Sequence, residues 1–403
     1  MVYCNWLLAS FNSVISITDE LIKNRASPSL ALTKGSAMNR RNFIKTASVA
    51  SIGALVGAGC GSDQSGKRTP FAFPRYRGFN LLAKFSGRKP GDKFEEEDFE
   101  IMAEWGFDFA RIPMSYWSWG SVEDWTLMDE NVLKDIDEVV EFGKQYNIHV
   151  NLNMHRLPGY CINGRDREPV DLFDDTPKNM QKALDAAVFQ WRHFAERYKG
   201  IPNSQLSFDL INEPPTMKEE TRYIEIVRSL CEAIWQANPD RLIVADGKDV
   251  GRTPVYGIAD LGLVQSTRGY DPMSVSHYTA TWVPKDAYET FNEPTWPLKG
   301  DDGKIWDKEA LRQKLIETWR PLVEKGISVH VGEWGCFNKT PHEVTLKWME
   351  DLLSLWKEVG WGQAMWNLKG SFGVLDSERA DVKYEDYKGH QLDRKMLELV
   401  LRY

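Results

Sequence analysis

Residues 205–215, QLSFDLINEPP, join a short apolar strand pattern to two polar side chains at its end, Asn212 and Glu213. Burying an unpaired acid is costly, so an acid at this place is expected to have hydrogen-bonding partners and to face a ligand. The Asn-Glu-Pro tripeptide recurs around Glu293, where three nearby prolines and the lack of a strand pattern predict a loop. The first copy is therefore the candidate for chemistry.

Strand patterns of the same kind recur along the chain, with helical runs between them. The candidate strands are residues 76–82, 107–113, 148–155, 205–214, 241–247, 273–279, 328–334 and 362–368. Helical runs cover residues 129–146, 177–198, 217–237, 307–325, 342–358 and 390–402. Alternating strands and helices indicate a parallel sheet, and eight strands are the number in a closed barrel. We predict an α/β protein with a single (β/α)8 TIM barrel over residues 75–403.

Composition excludes several classes of function. The 403-residue chain is 42% hydrophobic and carries a net charge of −8, which argues against a nucleic-acid partner because phosphate binding needs clustered basic residues. Cys161, Cys231 and Cys336 are too widely spaced for a disulfide framework or a metal site. The seven histidines form neither an HxH nor an HExxH arrangement, and a Gly-rich nucleotide loop is lacking. We expect no metal, no cofactor and a monomeric protein.

The N-terminal residues 1–60 look like a targeting region. Residues 39–60 contain the pair Arg40-Arg41, then a short apolar stretch that ends at Cys60, which resembles a twin-arginine export signal followed by a lipoprotein cleavage box. The apolar stretch is too short to span a membrane, and a loosely helical N-terminal arm is the alternative. We expect export to the periplasm or cell envelope, lipid anchoring or surface exposure through Cys60, and a polar linker over residues 61–74.

Polar side chains cluster at the predicted C-terminal ends of the strands, where TIM barrels carry their active sites. They are Arg111, His155, Asn212, Glu213, His277, Tyr278, Glu333 and Trp366. Two carboxyl groups on opposite sides of such a ring suit glycosidic bond cleavage, which needs one protonated and one ionised acid. Glu213 and Glu333 are the candidate catalytic pair.

Three neighbours fit a sugar-cleaving site. Asn212 is placed to hydrogen-bond a sugar 2-hydroxyl. Arg111 would keep a nearby carboxylate ionised, although an ordinary structural ion pair also explains it. Trp366 offers an aromatic face for a sugar ring, and packing in the core is the alternative.

The ordered motifs RGFN, ARIP, MH, LINEP, SHY, GEWG and MWN resemble glycoside hydrolase family 5, a family of retaining barrel glycosidases, over about residues 75–400. This resemblance implies that Glu213 is the acid/base and Glu333 the nucleophile, with Arg111, His155, Asn212, His277 and Trp366 as binding or supporting residues. The family spaces its sixth-strand pair as His-x-Tyr, whereas Tyr278 directly follows His277. The role of Tyr278 is therefore open.

The sequence indicates the substrate less directly than it indicates the type of reaction. A retaining glycosidase acting on β-glucan is favoured, with an endo-β-1,4-glucanase (cellulase) as the first choice. The long segment that begins HRLPGYC at His155 resembles a loop in exo-acting β-1,3-glucanases of the same family, so exo-β-1,3-glucanase and β-mannanase are alternatives. A carbohydrate-binding barrel without catalysis is a more distant one, because such a protein would be expected to lack one of the two acids.

Overall fold

A ring of eight parallel strands forms the centre of the protein. The computed structural model describes residues 67–87, 92–174 and 176–403. The barrel strands are β1 (Arg77–Asn80), β2 (Phe109–Ser115), β3 (His149–Leu157), β4 (Leu206–Asp209), β5 (Ile243–Asp246), β6 (Val264–Gly269), β7 (Val329–Trp334) and β8 (Gln363–Met365). Each strand pairs in parallel with the next, and β8 pairs with β1, which closes the barrel. The predicted (β/α)8 barrel is confirmed.

Six helices of nine or more residues lie outside the ring in the described ranges. They are α1 (Glu96–Glu104), α2 (Glu130–Gln145), α3 (Pro177–Arg197), α4 (Thr221–Ala237), α5 (His342–Glu358) and α6 (Arg394–Arg402). In α2 the helical spacing buries Leu133, Ile136 and Val140 against the barrel, as the periodicity predicts. Among the described residues, no helix combines the length and the apolar character that a membrane crossing requires.

Shorter elements occupy the loops. Short α-helices cover Lys248–Gly251, Met273–Ser276, Lys308–Leu311 and Arg320–Val323, and 3-10 turns cover Tyr116–Ser118, Arg165–Arg167, Tyr256–Leu261 and Lys285–Ala287. A π-helical stretch, Arg312–Glu317, divides the predicted helix 307–325. Tyr160–Cys161 pairs with β3, Leu298–Lys299 with Ile305–Trp306, and Glu385–Tyr387 with His390–Leu392.

The sixth strand lies earlier in the chain than the sequence predicts. β6 is Val264–Gly269, whereas the predicted strand 273–279 begins with the short helix Met273–Ser276. The prediction was wrong because β6 turns polar after Val264 even though all six residues are buried. The barrel tolerates this polarity where partners are present: the Gln265 side chain donates to the Val255 carbonyl and accepts from the Val255 N–H.

The segment before β1 packs against the N-terminal end of the barrel. The Phe71 N–H donates to the Gly262 carbonyl at 2.9 Å, and the Phe73 ring meets His330 edge-on with centroids 5.3 Å apart. Residues 67–74, which the sequence places in a polar linker, therefore lie on the barrel, because the two phenylalanines bury apolar surface there. Residues 1–60, with the predicted export signal and Cys60, lie outside the described ranges.

Candidate active site

The sequence-predicted acids meet at the C-terminal end of the barrel. Glu333 lies on β7, and Asn212 and Glu213 follow the end of β4. Arg111 on β2 reaches both sides, because its side chain contacts Asn212 and Glu333. The Glu333 side chain is 5% exposed and that of Glu213 is 15% exposed, so both carboxyl groups remain reachable from a cleft.

Glu333 is surrounded by groups that favour its ionised form. Arg111 Nη1 donates to its Oε1 at 2.5 Å, and Arg268 Nη2 lies 3.5 Å from the same oxygen. The Tyr270 hydroxyl donates to Oε2 at 3.3 Å. Two guanidinium groups and one O–H facing a single carboxylate stabilise its negative charge.

Glu213 has a different environment. Arg268 Nε donates to its Oε1 at 3.1 Å, and its backbone N–H donates to Asp246 Oδ2 at 2.8 Å. Burial and the repulsion of Glu333 raise the pKa of Glu213 to about 7, and the attraction of Arg268 and Arg252 opposes that rise only in part. Glu213 therefore holds a proton up to near-neutral pH.

Two buried arginines hold the acids in one network. Arg111 Nε donates to Asp209 Oδ2 at 2.9 Å, and Arg111 Nη1 donates to Asn80 Oδ1 at 3.0 Å. The parallel register places Asn80 directly beside Arg111 on neighbouring strands, so the strand pairing itself aligns this contact. The second arginine, Arg268, pairs with Asp246 on β5 through two nitrogens.

The amide of Asn212 links the two arginines. Its Oδ1 accepts from Arg111 Nη2 and from Arg268 Nη2, both at 2.9 Å. These two bonds determine which amide atom is oxygen, so Nδ2 must face the other way, where it lies 3.4 Å from His155 Nε2. Nδ2 is therefore the amide atom that can donate to a sugar hydroxyl.

An aromatic wall borders the site beside β3 and β8. Trp366, half-buried after β8, stacks on His155 with centroids 5.6 Å apart, and Phe85 meets both rings edge-on. Arg156 lies over Phe85 at 4.5 Å. Burial, with Arg156 and Arg111 nearby, lowers the pKa of His155 well below its usual value, so this ring is neutral.

The opposite side of the site differs from the prediction. His277 is at the end of the short helix Met273–Ser276, with its ring edge-on to Tyr270 at 4.9 Å. Tyr278 is half-buried, and the tyrosine hydroxyl that reaches Glu333 belongs to Tyr270. Trp282, 56% exposed, meets the His277 ring at 6.2 Å and extends this side toward solvent.

Arg268, Tyr270 and Asp246 were missed by the sequence analysis. Arg268 and Tyr270 lie two residues apart, which is the spacing expected of the family's sixth-strand pair, with arginine at the histidine position. That spacing could have found them if β6 had been located correctly. Asp246 is the last residue but one of the predicted strand 241–247 and the last residue of β5, so its position near a strand end was already visible.

Other predicted features lie away from the acids. Glu293 is exposed in a loop, as predicted. Cys336 is fully buried, with its Sγ 3.3 Å from the Val275 carbonyl. Within the described ranges, no cluster of three or more His, Cys, Asp or Glu side chains could hold a metal ion.

The chain is similar to several known proteins over most of its length. A family model described as cellulase (glycosyl hydrolase family 5) matches residues 63–371. Endoglucanase C of Acetivibrio thermocellus is 28% identical over 312 residues, covering 72% of this chain and 88% of that protein. Cellodextrinase A of Ruminococcus flavefaciens is 26% identical over 298 residues, covering 70% of this chain and 82% of that protein. A crystal structure described as a glycoside hydrolase is 40% identical, with a TM-score of 0.75, and covers 81% of this chain and 99% of its own.

Proposed function

Because this chain belongs to glycosyl hydrolase family 5 and is an O-glycosyl hydrolase, we propose that it cleaves internal β-1,4-glucosidic bonds of a glucan with retention of configuration. The observation that carries the proposal is the single guanidinium of Arg268, which contacts Glu213 from β4 and Glu333 from β7. The β-1,4-glucan substrate is supported by the similarity to Endoglucanase C over most of both chains.

The surroundings of the two acids assign their roles. Glu333, faced by Arg111, Arg268 and Tyr270, is the ionised nucleophile. Glu213, whose pKa is raised to about 7, is the acid that protonates the leaving oxygen. Two identical carboxyl groups thus take opposite protonation states in one cleft.

The reaction then proceeds in two displacements. Glu333 attacks the anomeric carbon while Glu213 gives its proton to the glycosidic oxygen, so the C–O bond breaks and a glycosyl ester forms on Glu333. Glu213, now a carboxylate, removes a proton from water, and the resulting hydroxide attacks the same carbon and releases Glu333. Two inversions leave the product with the β configuration of the substrate.

Neighbouring side chains bind the sugar next to the cleaved bond. Asn212 Nδ2 donates to the 2-hydroxyl, a contact that strengthens as positive charge develops on the ring. The half-buried Trp366 presents its indole to the sugar face, with His155 and Phe85 holding it in place. The His277 ring packs edge-on against Tyr270 on the other side of the site, and we assign its half-buried neighbour Tyr278 a lesser part in binding the sugar.

The loop after β3 favours a second candidate, exo-cleavage. Glu168 in this loop is 7% exposed and accepts from the Tyr116 hydroxyl at 2.6 Å, from Trp117 Nε1 at 3.0 Å and from the Gly159 N–H at 3.1 Å. A loop held this firmly beside the aromatic wall would close one end of the cleft. Exo-β-1,3-glucanase and β-mannanase activities are the alternatives to be tested beside endo-β-1,4-cleavage.

The location of the protein belongs to the same proposal. The Arg40-Arg41 pair and the apolar stretch ending at Cys60 support export by a twin-arginine route and attachment of a lipid to Cys60. A barrel held at the cell envelope would meet glucan outside the cytoplasm. Because one chain supplies both acids and their donors, the proposed site needs no residue from a second subunit.

A substrate panel tests the proposed activity. We expect the purified protein to hydrolyse carboxymethylcellulose, with a rapid fall in viscosity for few new reducing ends, and to be slower on laminarin and mannan. Proton NMR should show the β-anomer as the first product from cello-oligosaccharides. The matched control is Glu333→Gln, which should be inactive on all substrates. Preferred cleavage of laminarin from chain ends would favour the exo-β-1,3 alternative, and an α-anomer as first product would contradict the retaining mechanism.

A further inference from the structure

A fully buried cation contacts the proposed acid. The side chain of Arg268 is 0% exposed. Its Nε donates to Glu213 Oε1 at 3.1 Å. A full positive charge at this distance favours the ionised form of a carboxyl group by about 1 to 3 pKa units. The proposed acid must nevertheless carry a proton. Burial and the repulsion of Glu333 raise the pKa of Glu213 against this attraction, and an acid paired with Arg268 would weaken the attraction itself.

Asp246 is placed to do so. It is 0% exposed and lies at the C-terminal end of β5, next to Glu213. Arg268 Nη1 donates to its Oδ1 at 3.1 Å, Arg268 Nη2 donates to its Oδ2, and Oδ2 also accepts the backbone N–H of Glu213 at 2.8 Å. Asp246 thus binds both the cation and the backbone of the acid.

We propose that Asp246 is a positioning residue that neutralises Arg268 in the resting enzyme and thereby lets Glu213 keep the proton it gives to the leaving group. The inference rests on the proposed role of Glu213 as acid/base. Once Glu333 is esterified, its negative charge is lost, and Arg268 is left with Asp246 and Glu213 as its anionic partners at hydrogen-bonding distance. The same arginine then stabilises the Glu213 carboxylate, which acts as base on water.

The other charged groups around Glu213 do not take the place of Asp246 as the partner of Arg268. Those that act on its charge are Glu333, Arg268, Arg252 and Asp246, and the wider network adds Arg111, Asp209, His155, Tyr270 and His277. Burial lowers the pKa of His277 to about 3 and that of His155 well below its usual value, so neither ring is charged at working pH. Arg111 is paired with Asp209 and Glu333, which leaves Asp246 as the acid in two-point contact with Arg268.

The variant Asp246→Asn tests the proposal, because its amide oxygen can still accept the Glu213 N–H while the negative charge and one of the two acceptors for Arg268 are removed. With the charge of Asp246 removed, Arg268 attracts Glu213 more strongly, so the pKa of Glu213 should fall and the alkaline limb of the kcat/KM profile on cello-oligosaccharides should move down from near pH 7 by about 1 to 3 pH units. Arg268→Gln should move the limb upward. The double variant, which removes both charges, should return it toward the wild-type position.

Two measurements separate this inference from the proposed activity. The Glu213 carboxyl is titrated directly by carbon-13 NMR of glutamate-labelled protein, with its signal assigned from its absence in Glu213→Gln. The matched control is Asp135→Asn, which removes the negative charge from a largely buried ion pair (Lys84 Nζ to Asp135 Oδ2, 2.8 Å) that does not contact either acid, and it should leave both profiles unchanged.

The outcomes are distinguishable. A lowered Glu213 titration in Asp246→Asn supports the pairing even if no glucan is cleaved, in which case the activity proposal alone fails. Equal losses of kcat in all three variants, with the titration of Glu213 unmoved, would overturn the inference and leave Asp246 and Arg268 as a structural pair. If Asp246→Asn does not fold, the test is the comparison of Arg268→Gln with the double variant. If the alkaline limbs of their kcat/KM profiles lie at the same pH, the inference is wrong.

Discussion

Glu213 and Glu333 are chemically identical side chains whose neighbours differ. Glu333 receives hydrogen bonds from a guanidinium and a phenol, whereas Glu213 is held by one guanidinium whose charge Asp246 shares. Burial and the repulsion of Glu333 raise the pKa of Glu213. This difference in partners, rather than any difference in sequence motif, supports the proposed assignment of Glu333 as nucleophile and Glu213 as acid.

Substitution of each acid should therefore give a different kinetic result. We expect Glu213→Gln to lower kcat on cello-oligosaccharides by about 10² to 10⁴, because acid–base assistance contributes about that much. The loss should be much smaller on a dinitrophenyl glycoside, whose leaving group needs no proton. Glu333→Gln should be inactive on both substrates. Glu293→Gln, the exposed copy of the motif, serves as the control and should match the wild type. Equal losses on both substrates for Glu213→Gln would contradict its role as acid.

The individual elements differ in how well local pattern determines them. Helices α2 and α5 were predicted to within one residue at each end, because an apolar stripe repeats through them and packs on the barrel. Strand β6 was misplaced because four consecutive polar residues, 265–268, are buried in it. It is stabilised by hydrogen bonds to Asp246 on β5 and to the backbone of Val255. The apolar pattern of the strand itself does not reveal these partners.

The C-terminal helix α6 offers a stability prediction. Asp393 is 1% exposed, its Oδ1 accepts the Met396 N–H at 3.0 Å, and its Oδ2 lies 2.7 Å from His342 Nε2 at the start of α5. Asp393→Ala removes both the cap and this contact between helices, so the free energy of unfolding should fall by about 2 kcal/mol or more. Urea denaturation followed by circular dichroism measures the change.

A matched cap provides the control for α6. Asp129 caps α2 through Oδ1 and the Asn131 N–H at 3.0 Å, but it is exposed. Asp129→Ala should cost only about 1 kcal/mol, the usual worth of a cap. If both variants lost the same stability, the contact between Asp393 and His342 would contribute nothing.

The described part of the molecule is a barrel whose N-terminal end is closed by the segment that precedes β1. Phe73 meets four aromatic rings there, those of Tyr76, Phe109, His149 and His330. Burial lowers the pKa of His149 and of His330 to about 3, so these two of the seven histidines pack in the aromatic cluster around Phe73 as neutral rings. Glu213 and Glu333, the proposed catalytic acids, lie at the other end of the barrel among buried polar side chains.

Export is the prediction that concerns the whole chain. We expect Arg40→Lys combined with Arg41→Lys to leave unprocessed protein in the cytoplasm, because a twin-arginine route reads the arginine pair itself. Cys60→Ala should remove lipid labelling and release the barrel from the membrane fraction. Fractionation with an antibody against the barrel, and a radiolabelled fatty acid, measure both. Normal processing of the lysine variant would contradict the twin-arginine signal, and an unchanged membrane fraction for Cys60→Ala would contradict the lipid anchor.

The sequence by itself determined the fold class and seven of the eight strands, and it indicated the two candidate acids, because strand and helix periodicity and polar residues at strand ends are local patterns. The tertiary structure alone decided the place of β6 and the contacts of Arg268, Tyr270 and Asp246. Their physical reason is long-range: buried polar groups are stable only when hydrogen-bonded, and the partners of Arg268 on β4, β5 and β7 are brought to it by closure of the barrel. A periodic pattern shows which face of an element is apolar, but it does not show which buried charged side chains pair with each other.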